Sequence, residues 1–147
     1  MKKSKLFLIA VICMMTQSIS AIAQDTFIST EQLSATIKNF VRQNFPGQII
    51  EYANIEADSD DANIEICLNN GIEIDFDMNE NWERVDCYYM SVPRQLIPDM
   101  IAIYVDSHFS GEEIVKIDKE IYGYEIEISN GLELKFNHQG ELLYIDD

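Results

Sequence analysis

Two histidines are the side chains of this sequence best suited to hydrolytic catalysis. His108 falls near the end of a predicted helix, and His138 falls in a predicted hairpin turn. Neither belongs to a His-Glu-x-x-His zinc motif or stands near an obvious nucleophile. Carboxylates are numerous enough to leave a glycosidase-type pair open, although in so acidic a chain such pairs arise by chance. We therefore predict no catalytic residue, no cofactor and no enzymatic activity.

Four oxygen-bearing residues have the spacing of a calcium-binding loop, namely Asp75, Asp77, Asn79 and Asp86. The spacing is similar to that of the ligands in an EF-hand. Glu80 stands where such a loop needs a glycine, and strands rather than helices are predicted on both sides. We therefore favour a polar hairpin in which Asp75 pairs with Arg84, and keep calcium binding as the less favoured alternative.

Aromatic and charged side chains on one face of the predicted sheet are the candidates for contact with a partner. Exposed aromatic residues often anchor interfaces, because they bury much area at little entropic cost. The alternative is that they pack under loops or at the far edge of the sheet. The predicted docking residues are Trp82, Arg84, Tyr88, Tyr144, Asp75 and Lys135.

The elements that must position these residues occur twice along the chain. Residues Ile64–Phe76 match Tyr124–Phe136 at an offset of 60, and upstream the match continues at an offset of 64. The paired positions are apolar in one phase and acidic in the other, which indicates a buried face and a polar face. The change in offset falls within residues 58–63, which we predict to be a loop.

Each copy begins with a predicted helix. Ser29–Gln32 has the form of a capping box, and apolar residues follow at helical spacing up to Phe45-Pro46-Gly47. In the second copy Pro98 suits the first turn of the matching helix, and Gly111 lies beyond its end.

Each helix is followed by segments of strict apolar and polar alternation, which predict strands. A two-residue turn at Asn70-Gly71 would bury Glu73, so we predict a three-residue loop that opposes Leu68 to Ile72. The further predicted pairs are Ile74 with Val85, Asp75 with Arg84, Phe76 with Glu83, Leu134 with Ile145 and Lys135 with Tyr144. This register places Trp82 on the polar face.

The predicted fold class is α+β: a tandem repeat of a helix plus about four antiparallel strands, with the helices packed on one face of a common antiparallel sheet. Residues 24–147 form one domain of two repeats, at about 27–90 and 93–147. Cys67 and Cys87 then point to opposite faces with a strand between them. Two strand spacings are about 9.6 Å, beyond the reach of a disulfide, so we predict two free thiols.

The first 23 residues have the pattern of a secretory signal peptide. A basic start at Met1–Lys5 precedes an apolar stretch at Leu6–Met15 and a small-x-small cleavage site at Ala21–Ala23. The apolar stretch is too short to span a bilayer. We predict that residues 1–23 are removed, and that the protein is exported to the periplasm or outside the cell, soluble and without membrane insertion.

The charge of the chain restricts its partners. The formal net charge is −16, and the predicted signal peptide removes three lysines and no acid, leaving −19. Such a field repels nucleic acid and anionic lipid, and it favours a basic partner or a cation. Solubility alone is the alternative explanation.

The order of elements is similar to that of the PepSY-like, putative beta-lactamase-inhibitor-like family of exported Bacteroidetes proteins. The resemblance covers about Phe27 to Asp147, and rests on Phe45-Pro46-Gly47, the Asn-Gly hairpins, Trp82 and the Gly140 turn. It implies a periplasmic module suspected of binding or restraining another protein, and it brings no catalytic residues.

Three functions remain, and an enzyme is the least favoured of them. The favoured one is a non-catalytic module that binds an envelope protein or peptide with a basic surface, with inhibition of a peptidase or another envelope enzyme as an implied role. The alternative is an envelope protein that binds a small ligand or calcium. The oligomeric state stays open.

Overall fold

The computed structural model describes residues 26–57 and 62–146. In these residues nine strands form a single antiparallel sheet, in which the spatial order is the chain order. The strands are β1 (Thr26–Ile28), β2 (Ile50–Ala57), β3 (Ala62–Leu68), β4 (Glu73–Asp77), β5 (Trp82–Asp86), β6 (Ile114–Glu120), β7 (Gly123–Ile128), β8 (Glu133–Asn137) and β9 (Leu142–Asp146).

Two short helices interrupt the succession of strands. Helix α1 (Ala35–Asn44) lies between β1 and β2, and helix α2 (Asp99–His108) lies between β5 and β6 after a 3-10 turn at Arg94–Leu96. The predicted capping box at Ser29 does not start α1. Instead the Ser34 hydroxyl accepts a hydrogen bond from the Ile37 N–H at 3.2 Å. In the described part of the chain, neither helix has the length and apolar character that crossing a membrane requires.

The predicted fold class is wrong. The structure is a single nine-stranded antiparallel sheet with two ten-residue helices, and not a tandem repeat of helix-plus-strand units with helices packed on the sheet. Hydrogen bonding continues without a break from β5 to β6, where Val85 opposes Ile117 across the predicted boundary. A helix of this size is about 15 Å long, whereas nine strands span about 38 Å. Two such helices therefore contact only part of the sheet and do not form a complete layer over it.

One row of cross-strand neighbours runs through all nine strands and forms the centre of the core. Its members are Ile28, Ala53, Ile66, Ile74, Val85, Ile117, Ile126, Leu134 and Ile145. The members between Ala53 and Leu134 are buried. On this apolar face, Phe40 of α1 meets Phe76 edge to face, and Tyr104 of α2 meets Phe136 in the same way.

Most of the predicted register is confirmed. Ile74 opposes Val85, Asp75 opposes Arg84, and the matching pairs occur between β8 and β9. At the predicted three-residue loop, the Leu68 N–H donates to the Ile72 carbonyl at 2.8 Å, and Gly71 has a φ of 87°. The prediction for Phe76 is wrong, because a β-bulge pairs it with Trp82 instead of Glu83. The bulge places Trp82 on the apolar face.

The prediction of two free thiols is confirmed. Cys67 opposes Glu73, which in turn opposes Asp86, the residue before Cys87. The two cysteines therefore lie on opposite faces with β4 between them. Cys87 is part of the core, and Cys67 is buried beneath the polar face.

Candidate docking face

Two rows of polar side chains cross the face of the sheet opposite the core, which we call the polar face. The strands position them, because alternate residues of every strand point to the same side. The first row is Glu65, Asp75, Arg84, Asp118, Glu125, Lys135 and Tyr144, and the second is Cys67, Glu73, Asp86, Lys116, Glu127, Glu133 and Asp146.

Arg84 is the centre of the first row. Its guanidinium lies 3.1 Å from the Asp86 carboxylate, 3.3 Å from Asp75, 3.7 Å from Asp118 and 3.8 Å from Glu73. Burial lowers the pKa of Arg84, but the neighbouring carboxylates, Asp75 foremost, raise it by more. Arg84 is therefore a permanent positive charge held among four carboxylates.

Asp118 is the carboxylate of the polar face on which burial has the clearest effect. Burial raises the pKa of its carboxyl group, and Lys116 and Arg84 offset only part of that rise. The Lys116 ammonium lies 3.2 Å from the Asp118 carboxylate. Asp118 thus depends on two cations for its charged form.

Lys135 forms a second, smaller cluster near the β9 edge. Its ammonium lies 3.0 Å from the Glu125 carboxylate and 5.1 Å from the centre of the Tyr144 ring. Hydrogen bonds to Glu125 and Tyr144 raise the pKa of Lys135. Glu125 also accepts a hydrogen bond from the Tyr122 hydroxyl at 3.0 Å.

Carboxylates outnumber basic groups on the polar face. The basic side chains in the two rows are Arg84, Lys116 and Lys135, and each is already close to a carboxylate. In the second row Glu127 directly opposes Glu133, and Glu133 directly opposes Asp146. Like charges in direct opposition destabilise a sheet. The face therefore has capacity for added positive charge.

The structure brings four of the six predicted docking residues into the polar face, namely Asp75, Arg84, Lys135 and Tyr144. Tyr88 lies beside them at the end of β5. Its N–H donates to the Asp86 carboxylate at 2.9 Å, and a hydrogen bond to Glu73 raises the pKa of its phenol.

Trp82 does not join the other predicted docking residues. Its ring lies on the apolar face, with its centroid 6.4 Å from that of Phe40, and the Lys119 ammonium lies 3.6 Å above the indole. The bulge in β5 accounts for this position, since it shifts the alternation by one residue.

The four residues with calcium-loop spacing do not converge on one point. Asp77 accepts hydrogen bonds from the Asn79 and Asn81 backbone N–H groups at 2.9 and 2.8 Å. Arg84 contacts both Asp75 and Asp86. Within residues 26–57 and 62–146, no three His, Cys, Asp or Glu side chains form a group that could hold a metal ion.

Three residues central to the polar face were not among the predicted site residues. Asp118 and Lys116 alternate with Ile117 in β6, and Glu125 alternates with Ile126 in β7. The alternation was a usable signal for their side of the sheet. The pairing of β5 with β6, which brings Asp118 to Arg84, had no local signal in the sequence.

A pocket of about 490 Å³ opens at the end of the polar face beside Tyr88. It is lined by Cys67, Asn70, Gly71, Glu73, Cys87, Tyr88, Tyr89 and Met90. Tyr89 is 98% exposed, and Tyr88 and Met90 are also exposed. Aromatic and thioether side chains thus project beside the carboxylate rows.

Comparison with known proteins gives one family and several solved structures. Residues 62–144 match the family described as "Putative beta-lactamase-inhibitor-like, PepSY-like". A structure from Bacteroides vulgatus, described as a "putative periplasmic protein from DUF2874 family", is 32% identical, with a TM-score of 0.78 over 86% of this chain and 99% of that one. No curated protein matches the chain.

Two further structures have the same fold. One is a "putative periplasmic protein of unknown function" from Bacteroides vulgatus, 29% identical, with a TM-score of 0.80 over 84% of this chain and 100% of that one. The other is a "putative calcium-regulated periplasmic protein" from Bacteroides thetaiotaomicron, 33% identical, with a TM-score of 0.78 over 84% and 97% of the two chains. These periplasmic relatives confirm the predicted export, while the predicted signal peptide at residues 1–23 lies outside the described residues.

Proposed function

This chain belongs to the PepSY-like family, and on that premise we propose that it is a non-catalytic docking module of the periplasm, whose polar face binds a basic segment of another protein. The family description refers to an inhibitor, which is a protein that acts by binding. Inhibition of an envelope enzyme such as a peptidase is the specific role we propose for that binding.

The excess of carboxylates on the polar face is the observation that supports this proposal most. The strands fix these side chains in two rows, so a partner meets a surface that is already ordered. In the second row Lys116 opposes Asp86 and Glu127, but Glu133 opposes only acids. Lysine or arginine side chains of a partner would supply the counter-charge that Glu133 and Asp146 lack there. Tyr88, Tyr89 and Tyr144, all exposed, offer aromatic contacts beside them.

The surroundings of the histidines support the non-catalytic part of the proposal. Nδ1 of His108 lies 2.9 Å from the Tyr104 carbonyl, and Nε2 of His138 lies 2.9 Å from the Ile121 carbonyl. Each ring is thus engaged with backbone. A catalytic histidine needs to reach a nucleophile or a substrate proton instead.

A calcium-responsive role is the second candidate function. The observation that favours it is the description of the relative from Bacteroides thetaiotaomicron as calcium-regulated. The side-chain geometry gives it less support, because Arg84 stands between Asp75 and Asp86.

The test of docking is crosslinked capture from the periplasm of cells that make the protein, comparing wild type with a Glu127→Gln, Glu133→Gln variant. The variant removes two carboxylates of the second row and keeps their shape. It should fold at least as well as wild type, because it also removes a like-charge pair. We expect capture of the partner to weaken about 2- to 10-fold.

A matched control carries Glu31→Gln and Asp106→Asn, which change the net charge equally at exposed sites away from the polar face. The control should capture as well as wild type. Equal loss of capture in both variants would show a dependence on net charge alone, and equal retention in both would remove the polar face from consideration.

A further inference from the structure

The outer side of β9 is an open edge of the sheet. Within the described residues β9 pairs with β8 alone. Leu143, Tyr144 and Ile145 are 49%, 52% and 42% exposed. An edge strand presents unpaired N–H and C=O groups, and proteins commonly shield such edges with lysine, proline or a covering element. Leu142–Asp146 contains neither lysine nor proline.

The same chain shows what covers an edge of this kind. The strands β3, β4 and β5 pair in the same register as β7, β8 and β9, displaced by 60 residues. Even the bulge recurs, with Phe76 opposite Trp82 and Phe136 opposite Leu142. Strand β9 is therefore the structural counterpart of β5.

Strand β5 does not have an open edge, because β6 covers its outer side. Across that boundary Val85 opposes Ile117 and Asp86 opposes Lys116. The covering strand β6 thus makes an apolar pair with β5 on the core side and an acid–lysine pair with it on the polar side.

The corresponding cation is missing beside β9. In the first hairpin the second row reads Glu73, Asp86 and then Lys116. In the second hairpin it reads Glu133 and Asp146, and among the described residues no basic side chain forms an ion pair with either. Tyr144 also stands where Arg84, which contacts Asp86, stands in the first hairpin.

We propose that β9 is a strand-addition site, completed by an extended segment of a partner with an apolar residue opposite Ile145 and a basic residue opposite Asp146. Backbone hydrogen bonds would supply the affinity, and the two side-chain pairs would supply the selectivity. The inference rests on the proposed function in taking the protein to be a docking module. It adds a second contact, made by backbone groups at the edge.

Charge argues against a second copy of this chain as the occupant. Strand β9 carries no basic residue to place opposite Asp146. Two chains, each with a formal net charge of −16, also repel each other. A basic and apolar segment of a different protein meets both requirements.

The test uses a capped peptide with the sequence of the chain's own covering strand, Ile114–Glu120, added to isotope-labelled protein purified from the periplasm. We expect the peptide to shift the backbone amide resonances of β9 and β8. A peptide with Lys116→Glu should bind about 1.5- to 5-fold more weakly, as for one cross-strand charge pair. In an Asp146→Lys variant of the protein the order of the two peptides should reverse.

Two peptides methylated on alternate backbone nitrogens test strand addition itself. A strand bonds through alternate residues on each side, so one methylated peptide should lose at least about 10-fold in affinity and the other should keep most of it. Full affinity in both would overturn the proposal.

The remaining outcomes each have one meaning. Shifts at β5 and β7 would mean that the peptide had displaced the native β6, and shifts limited to the first row would mean binding to the polar face. Both results overturn the edge site. The first leaves the docking proposal untouched, and the second supports it. Absence of binding, or a dimer whose β9 amides become protected at high protein concentration, would also overturn the edge site.

Discussion

Arg84 determines what the centre of the polar face can do. Its guanidinium lies within 3.8 Å of four carboxylates, which belong to the three neighbouring strands β4, β5 and β6. The Arg84 guanidinium thus occupies the space between these carboxylates in which a metal ion would have to bind. Asp75 and Asp86 do have the sequence spacing of calcium ligands, but Arg84 lies between them in the sequence and neutralises them in the structure.

Cys87 gives a prediction about stability in alkali. Burial raises the pKa of its thiol from an ordinary value of 9.0 to about 12. Above pH 9 the thiol of the unfolded chain ionises while that of the folded chain stays protonated, so stability falls as pH rises. Because each pKa unit is worth about 1.4 kcal/mol, and the unfolded thiol is already half ionised at pH 9, Cys87 should cost the fold about 2 kcal/mol between pH 9 and pH 11. Urea unfolding of wild type and Cys87→Ala across this range measures the difference in slope.

The control for this prediction keeps Cys87 and changes Cys67 to alanine. Cys67 is also buried, but a hydrogen bond from Tyr52 lowers the pKa of its thiol and offsets part of the rise that burial causes. Its replacement should flatten the pH dependence less than that of Cys87. Parallel curves for wild type and Cys87→Ala would contradict the assigned pKa.

At the scale of elements, the alternation of apolar and polar residues predicted which strands form hairpins and which residues pair within each hairpin. The pairs Asp75 with Arg84 and Lys135 with Tyr144 follow from period-two spacing and a three-residue loop. The position of Trp82 did not follow, because a bulge inserts a residue without changing the pattern of residue types. The ladder from β5 to β6 did not follow either, since about thirty residues and a helix separate the two strands.

In the turns before β5 and β9, two substitutions should change the stability of the fold in opposite directions. Glu80 and Gly140 occupy equivalent positions, with φ angles of 66° and 78°. Only glycine adopts this region without steric cost, so Glu80→Gly should stabilise the fold by up to about 1 kcal/mol. Gly140→Ala should destabilise it by more than that, because its Cβ would also lie 2.6 Å from the Cβ of Met100.

Chemical unfolding of both variants checks the pair. Glu80→Ala is the control for loss of the glutamate side chain, since alanine removes the carboxylate but keeps a Cβ at positive φ. A stabilisation as large in Glu80→Ala as in Glu80→Gly would assign the effect to charge instead of backbone geometry.

At the scale of the whole molecule, one sheet separates two environments. The face with α1 and α2 holds the core, and the other face carries two charged rows. Hydrophobic patterning predicted this division. It also predicted that one face would contain Asp75, Arg84, Lys135 and Tyr144. It did not foretell that one continuous sheet would place Asp118 among them, because that needs a pairing between distant segments.

Calcium tests the molecule as a whole. We expect calcium and magnesium at equal concentration to change the melting temperature by the same amount, since in the described part of the chain no acidic group is arranged to select one ion. If a specific site existed, a calcium concentration of 100 times its Kd would add about 2.7 kcal/mol to the free energy of unfolding. Scanning calorimetry with each ion separates the cases, and a saturating rise with calcium alone would favour the calcium-responsive role.

The identity of spatial and chain order has a consequence for assembly after export. Each strand pairs with the strand that precedes it in the chain, so hairpins connect most of the sheet. Local pairing speeds folding, because short loops close quickly and at small entropic cost. A polypeptide that crosses the inner membrane amino end first can add each strand to a growing template as it emerges. Translocation and folding can therefore proceed in the same direction, and β9 is then the last of the described strands to pair.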